Sequence, residues 1–261
     1  MTEDAYPRPQ LQRENWMSLN GTWQFAYDDE HRYREPDDIK SYPREILVPF
    51  PPESEASGIG DRGFHDACWY RREFEYDADG QRALLHFGAV DYFAMVWVNG
   101  DHVVTHEGGH TPFTADITAS LNTNGPQVVV VRVYDDPAEL TKPRGKQDWL
   151  LEPHSIWYPR TTGIWQTVWL ERVSFTYLEK IRWTPHLDGF AITFEGYVAG
   201  EMNGDIEVEL LLRHGDRLLA RDRYLVVNRE IDRRIILSDP GIDDFRNELF
   251  WSPEHPTLFD A

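Results

Sequence analysis

The stretch Val96-Trp97-Val98-Asn99-Gly100-Asp101-His102-Val103-Val104 places an Asn-Gly pair between two apolar runs. Asn99 and Gly100 both tolerate positive φ, which the two central positions of a type I′ turn require. Because this turn matches the right-handed twist of paired strands, the stretch predicts a two-residue β-hairpin. We therefore expect an antiparallel sheet around residues 96–104.

Segments on both sides of the hairpin also show strand patterns, and helical periodicity is hard to find. Residues 127–134 form a continuous valine-rich run between Gly125-Pro126 and Asp135-Asp136-Pro137, which is typical of a buried strand. Residues 70–76 alternate between aromatic and charged side chains, with one lapse at Arg72. Strands at this spacing predict a jelly-roll β-sandwich over residues 1–175.

The pattern becomes plainer and more regular after about residue 176. Residues 191–198 are strand-like, and residues 206–212 alternate before a turn at His214-Gly215-Asp216. This pattern predicts a second, smaller sandwich over residues 176–261, immunoglobulin-like in size but without the paired cysteines of antibody domains. The predicted fold class is thus all-β, a jelly-roll sandwich followed by an immunoglobulin-like sandwich.

Composition and charge exclude several classes of function. The formal net charge is -19, so we expect no nucleic-acid partner and no membrane surface partner. The first residues carry no signal-peptide pattern and Cys68 is the only cysteine, which favours a cytoplasmic location and excludes an internal disulfide. Cys68 is expected to be a small buried hydrophobe. We expect no metal and no cofactor.

Five segments of the chain, taken in order, carry a family resemblance. They are Leu19-Asn20-Gly21-Thr22-Trp23-Gln24-Phe25, Gly88-Ala89-Val90-Asp91-Tyr92 with Trp97-Val98-Asn99-Gly100, His106-Glu107-Gly108-Gly109-His110-Thr111-Pro112-Phe113 with Asp116, Arg160-Thr161-Thr162-Gly163-Ile164-Trp165-Gln166-Thr167-Val168-Trp169-Leu170-Glu171, and Phe250-Trp251-Ser252-Pro253 with Pro256 and Leu258-Phe259. These segments resemble hallmark segments of glycoside hydrolase family 2. They span nearly the whole chain, so together they are far more specific than any one of them.

The resemblance implies a jelly-roll sugar-binding domain, then an immunoglobulin-like domain, then a catalytic (β/α)8 barrel after residue 261. In that family both catalytic glutamates lie on barrel strands, and no glutamate of this chain matches those positions. We therefore expect a non-catalytic N-terminal fragment of a β-glycosidase of the β-galactosidase, β-glucuronidase or β-mannosidase kind. It would support its own C-terminal barrel, meet a β-linked sugar in the complete enzyme and, like many family members, form a homo-oligomer.

Two other functions are compatible with the sequence. A free-standing carbohydrate-binding module would bind sugars without any partner domain, whereas a structural or adhesive tandem sandwich would not bind sugars at all. A hydrolytic site within these residues is not expected. Retaining cleavage needs two carboxyl groups about 5 to 5.5 Å apart, and the nearest candidates, Glu152, Asp148 and Glu107 with Asp116, lie on segments that read as loops or turns. We assign no catalytic residue.

The stretch between Pro137 and Gly163 combines aromatic side chains with hydrogen-bonding ones, as carbohydrate sites do. In the family a loop at this place reaches the sugar pocket and an Asp contacts substrate, for which Asp148 is the best placed acid and Gln147 its neighbour. The candidate substrate-binding residues are Lys146, Gln147, Asp148, His154, Trp157, Tyr158 and Arg160.

Each candidate also has a structural interpretation. Trp157 fits core or interdomain packing, and Lys146 fits a solvent-exposed position. Arg160 fits an ion pair as well as a sugar contact, and His154 fits a hydrogen-bonded turn. The nearby Gly108-Gly109 pair lacks the spacing of a phosphate-binding loop and predicts a turn with positive φ.

Overall fold

The structure, a computed structural model, describes residues 5–237 and 248–261. Over these residues the chain forms seventeen strands and three short 3₁₀ helices, Pro36–Asp38, Glu55–Ser57 and Thr118–Ser120. The described residues divide into two compact units, one of residues 5–7 and 13–173 and the other of residues 8–12, 174–237 and 248–261. The prediction of an all-β protein is confirmed.

Twelve strands make up the described part of the first unit. They are β1 (Trp16–Ser18), β2 (Gly21–Tyr27), β3 (Arg44–Val48), β4 (Ala67–Phe74), β5 (Arg82–Phe87), β6 (Val90–Asp91), β7 (Phe93–Val98), β8 (Asp101–Glu107), β9 (Phe113–Asp116), β10 (Gln127–Tyr134), β11 (Gly163–Ile164) and β12 (Val168–Val173). A four-stranded sheet has the order β1-β12-β5-β9, and a six-stranded sheet has the order β3-β2-β4-β10-β7-β8. β11 pairs with β6 in a short ladder of its own.

The two large sheets enclose one apolar core, as a β-sandwich should. Phe25 and Val131 from the six-stranded sheet and Leu85 and Leu170 from the four-stranded sheet belong to the same buried cluster. Complete burial of a side chain of this kind stabilises a fold by about 1.5–3 kcal/mol relative to leaving it exposed. Apolar burial between the sheets therefore holds this unit together.

The predicted hairpin is present and joins β7 to β8. Asn99 and Gly100 have φ of 52° and 93°, and Val98 pairs with Asp101 across the turn. The Asn99 side chain also donates to Ser120 O and Gln127 Oε1, both at 2.7 Å. The turn is thus fixed by its own backbone and by the neighbouring loop.

β10 is buried on both faces, which explains its unbroken run of valines. Val129, Val131 and Val133 face the core between the sheets. Val130 faces the other side, where it joins a second cluster with Trp69 and Trp97. We call that side the outer face of the six-stranded sheet.

Arg72, the lapse in the alternation of β4, has a structural explanation. Its guanidinium donates to Leu19 O at 2.7 Å and to Asn20 O at 2.9 Å, and it lies 6.0 Å from the centre of the Trp23 ring. Buried carbonyl groups need donors. Arg72 supplies them at a position that the strand pattern alone would give to an apolar residue.

The second unit contains five strands over its described residues. They are β13 (Thr176–His186), β14 (Ala191–Gly200), β15 (Glu207–His214), β16 (Arg217–Leu225) and β17 (Glu230–Ile236). The sheets are β13-β14-β17 and β15-β16, which share a core that includes Phe194, Leu212 and Ile231. β15 and β16 meet at the predicted turn, where Gly215 has φ of 56°.

Candidate functional site

The seven candidate residues lie on one loop, residues 137–162, which follows β10 and leads into β11. The chain closes on itself partway along this loop, because Tyr158 N donates to Lys146 O at 2.9 Å and Asp148 N donates to Tyr158 O at 2.8 Å. This closure divides the loop in two. We call residues 149–158 the loop tip, and residues 137–148 and 159–162 the loop base.

Asp148 is the most enclosed of the candidates, with 1% of its surface exposed. Its carboxylate accepts from Leu150 N at 3.0 Å, from His154 N at 2.6 Å and from His154 Nδ1 at 2.7 Å. Burial opposes the charged form, but these hydrogen bonds outweigh it and hold the pKa of Asp148 below its ordinary value. Asp148 therefore shapes the tip and orients the His154 ring.

His154 is a hydrogen-bonding side chain that this arrangement presents outwards. Its side chain is 44% exposed and Asp148 occupies Nδ1, so Nε2 is the ring nitrogen that remains to serve a ligand. The ring lies 5.3 Å from the Trp149 ring in an edge-to-face contact. A hydrogen-bonding group is thus held beside an aromatic surface.

Gln147 connects the loop base to the short β6–β11 ladder. Its Nε2 donates to Asp91 Oδ2 at 2.7 Å, and its Oε1 accepts from Thr161 N at 2.9 Å. Burial and the neighbouring charge of Asp135 raise the pKa of Asp91, although the bond from Gln147 favours its charged form. A side chain at Gly109 would collide with the Asp91 carboxylate, so glycine is required there.

Two further buried carboxylates fix the loop base. Asp135 pairs with Lys142, both side chains being buried, and it also accepts from Thr162 Oγ1 at 3.3 Å. Glu53 Oε2 accepts from Thr162 N at 3.1 Å, and Glu53 Oε1 lies 3.8 Å from Arg160 Nη2. Burial raises the pKa of Glu53 to about 7. The base is therefore held by ionic and polar contacts to three carboxylates outside it.

Arg160 is buried in this network, with 9% of its side chain exposed. Besides Glu53 it contacts Gly63 O, to which Nη2 donates at 2.9 Å, and the Phe64 ring, whose centre lies 4.9 Å away. The ion pair that its position suggested is thus present. Lys146, in contrast, has an exposed side chain.

The loop tip has the opposite character, because it exposes large apolar side chains. Tyr158 is 63% exposed and Trp149 is 49% exposed, and the Trp149 ring meets the half-buried Trp157 ring at 5.3 Å. The neighbouring Leu151 and Ile156 are exposed too. A cluster of exposed apolar side chains marks an interaction surface more often than a solvated one.

Sequence reasoning did not single out Asp91, Asp135 or Glu53 as parts of this site. Asp91 stands in one of the segments that carry the family resemblance, and Asp135 follows the valine run directly. The sequence around these two residues does not show whether each carboxylate is buried or belongs to an exposed turn. Glu53 lies 109 positions before its partner Thr162, and no local pattern records such a contact.

The carboxyl groups considered for hydrolysis are engaged separately. Asp116 ends β9 in the four-stranded sheet and binds Arg82 and Thr118, whereas Glu107 ends β8 in the six-stranded sheet. Asp148 is committed to the loop tip, and Glu152 is exposed. Gly108, considered for a phosphate-binding loop, has φ of 134° in a turn, as predicted.

Two negative findings concern the described residues alone. Within residues 5–237 and 248–261, no three histidine, cysteine, aspartate or glutamate side chains form a group that could hold a metal ion. Over the same ranges, none of the helices is long and apolar enough to cross a membrane.

Comparison with a family model identifies part of the first unit. Residues 63–164, which include the loop and most of the six-stranded sheet, match the glycosyl hydrolase 2 galactose-binding domain-like family. The match runs from the Gly63 that Arg160 contacts to the second residue of β11.

Curated relatives include glycosidases of two kinds. The β-glucuronidase of Canis lupus familiaris is 30% identical over 244 residues, covering 80% of this chain and 37% of that protein. The β-galactosidase of Thermoanaerobacter pseudethanolicus is 28% identical over 209 residues, covering 77% of this chain and 26% of that protein. The chain thus spans between about a quarter and little more than a third of the length of these relatives.

Solved structures share the fold. A β-glucuronidase from Ruminococcus gnavus in complex with D-glucuronic acid superposes with a TM-score of 0.69 at 21% identity, covering 98% of this chain and 43% of that one. The apo form of the same enzyme gives a TM-score of 0.69 at 20% identity. At these identities the likeness establishes the fold alone.

Proposed function

Since residues 63–164 are a galactose-binding-like domain of the glycosyl hydrolase 2 family, we propose that this chain is the non-catalytic N-terminal portion of a β-glycosidase. It supports a catalytic barrel and contributes the tip of its 137–162 loop to the sugar pocket. The observation that carries the proposal is the contrast within that loop. Buried charged side chains fix the loop base. The aromatic side chains of the loop tip are largely exposed, because the described residues around them leave them uncovered.

The proposed division of labour follows from the contacts. Tyr158, Trp157 and His154 supply ring surfaces and a hydrogen-bonding nitrogen, which together suit a pyranose. Asp148 and Gln147 are positioning residues, because their side chains are occupied within the loop and by Asp91. Positioning of this kind affects rate by placing groups rather than by touching the substrate.

The first test is made on the 261-residue chain itself. We expect no hydrolysis of aryl β-glucuronides, β-galactosides or β-mannosides, measured by release of the chromogenic aglycone. Turnover that is lost on replacing Asp148 or Glu152 would place a catalytic carboxylate within these residues and overturn the proposal.

The second test uses a longer protein that carries this chain followed by a barrel. There we expect Tyr158→Ala and His154→Ala to lower kcat/KM by about tenfold or more. Tyr158→Ala should leave the Tm unchanged because its side chain is exposed, whereas His154→Ala should lower the Tm because it removes a donor to the buried Asp148 carboxylate. Tyr197→Ala, at an exposed tyrosine of β14, is the matched control. Unchanged kcat/KM in both tip variants would contradict the role given to the loop.

A free-standing carbohydrate-binding module is the second candidate function. It is favoured by an open cleft that lies outside the loop tip and does not depend on a barrel. Sugar binding by the chain alone, together with unchanged kcat/KM in both tip variants of a longer protein, would favour it over the first proposal.

A further inference from the structure

An open cleft of about 260 Å³ lies at one end of the outer face of the six-stranded sheet. Its principal lining residues are Tyr92, Phe93, Tyr134, Glu107, Asp136 and Glu139. We call it the outer cleft. No residue of the loop tip lines it.

The strand register explains why three of these side chains share one surface. Phe93 of β7 is directly opposite Tyr134 of β10 on one side and Glu107 of β8 on the other. Residues directly opposite in a sheet point to the same face. The sheet therefore presents an aromatic pair next to a carboxylate in a fixed row.

The aromatic part of the cleft is partly accessible. Tyr134 is 36% exposed and Phe93 is half-buried, so each ring has a packed side and an open side. Tyr134 also meets the His31 ring at 5.6 Å. Ring faces of this kind suit the apolar C–H face of a pyranose.

Two of the carboxylates are held in place by hydrogen bonds within their own loop, and the third, Glu107 of β8, is hydrogen-bonded to Tyr92. Glu139 Oε1 accepts from Thr141 N at 2.9 Å and from Thr141 Oγ1 at 2.6 Å, and Asp136 Oδ1 accepts from Ala138 N at 2.7 Å. Each carboxylate has a second oxygen and about four lone-pair sites in all. Such groups can accept hydrogen bonds from sugar hydroxyls without further ordering.

The charge of the outer cleft limits the class of sugar that it can bind. Glu107, Asp136 and Glu139 line the cleft with negative charge. Lys142 also lines the cleft, but its ammonium group is paired with the buried Asp135. A uronate would bring a like charge into this space, whereas a neutral pyranose would not. The whole chain, at a formal net charge of -19, adds to the repulsion.

We propose that the outer cleft binds a neutral pyranose, with a ring face on Tyr134 and Phe93 and hydroxyl groups donating to Glu107, Asp136 and Glu139. It is a saccharide site separate from the loop tip, and it excludes uronic acids. This inference goes beyond the proposed function because it requires neither a barrel nor any catalytic group.

Calorimetry on the 261-residue chain tests the inference. The probes are methyl β-D-glucopyranoside, methyl β-D-galactopyranoside and D-glucuronate at low ionic strength. We expect at least one neutral sugar to bind with a Kd on the order of 1 mM, as suits a ligand of this size, and glucuronate to bind at least tenfold more weakly. Added salt should narrow that difference, because it screens the carboxylates.

Amino-acid substitutions test whether the sugar binds in the outer cleft. Tyr134→Ala should weaken it at least tenfold, and Tyr134→Phe, which keeps the ring, should leave it within about threefold of the parent. Tyr197→Ala removes an exposed tyrosine of β14 that has no assigned role and should change nothing. Tyr158→Ala tests whether the sugar binds at the loop tip instead. Thermal melts and the dispersion of amide signals in NMR spectra verify that each variant is folded.

Several results would overturn the inference. They are the absence of binding by the folded chain, equal or tighter binding of glucuronate, and loss of binding in Tyr158→Ala but not in Tyr134→Ala. None of them bears on the role of the loop tip in a longer protein, which is measured there by kcat/KM. The two proposals can therefore fail separately.

Discussion

The base and the tip of the 137–162 loop are adjacent in the chain and opposite in physical character. The base is anchored by polar groups that are buried, Asp148 and Thr162 among them, and carboxylates from other parts of the first unit hold it. The tip is largely apolar yet exposed, and Tyr158 is typical of it. Polar groups are usually exposed and apolar side chains usually buried, so this loop shows the reverse arrangement. The arrangement indicates that the base fixes the position of the loop and that the tip contacts a group outside the loop.

The largest effect on stability is expected from a buried carboxylate at the base. Burial raises the pKa of Glu53 to about 7 from an ordinary 4.5. A raised carboxyl pKa means that the folded chain holds the proton more tightly than the unfolded chain does. The contribution to stability is therefore fully present below about pH 4.5 and is lost as the pH rises through 7.

The side chain of Glu53→Gln does not ionise, so the variant avoids the loss of stability that the parent shows at rising pH. Its amide oxygen can still accept from Thr162 N. The variant should unfold with a free energy higher than the parent's by up to about 3 kcal/mol at pH 8, and the difference should vanish near pH 4.5. Urea unfolding at several pH values measures it. Glu45→Gln, at an exposed position of β3, is the control.

The contrary outcome is equally informative. A Glu53→Gln chain less stable than the parent at pH 8 would mean that the attraction to Arg160 exceeds the cost of burying the charge. Glu53 and Arg160 would then form an ion pair that stabilises the loop base.

Gln147 offers the next largest effect, in the destabilising direction. Gln147→Ala leaves the Asp91 carboxylate and Thr161 N without a partner that they have in the parent. An unsatisfied buried group costs about 1–3 kcal/mol, so we expect a loss of about 2 kcal/mol in the free energy of unfolding. Lys146→Ala, at the exposed neighbour, should be close to neutral, and equal losses in both variants would contradict the contrast between buried and exposed positions.

How far the sequence alone predicts these regions differs between them. The Asn99-Gly100 hairpin and the valine run of β10 are local patterns, and both are confirmed because neighbouring residues determine them. The aromatic content of the loop tip could also be predicted from the sequence. The buried carboxylates could not be predicted, because burial of Asp91 or Glu53 depends on partners 56 and 109 positions away.

Hydrogen exchange should resolve the boundary between base and tip without any mutation. The backbone amides of Leu150 and His154 donate to the Asp148 carboxylate and should exchange more slowly than those of Leu151 and Ile156. Asp148→Ala should remove this protection and leave that of β10 unchanged. Equal exchange rates at all four amides in the parent chain would show that Asp148 does not organise the tip.

The smallest effect on stability is expected at the tip itself. Tyr158→Ala and Leu151→Ser remove exposed apolar surface, so each should change the free energy of unfolding by no more than about 0.5 kcal/mol. A loss of more than about 1 kcal/mol would mean that these side chains pack within the loop. Near-neutral stability, together with the loss of kcat/KM expected in a longer protein, would instead separate the two roles: the tip contributes to function while the base contributes to the fold.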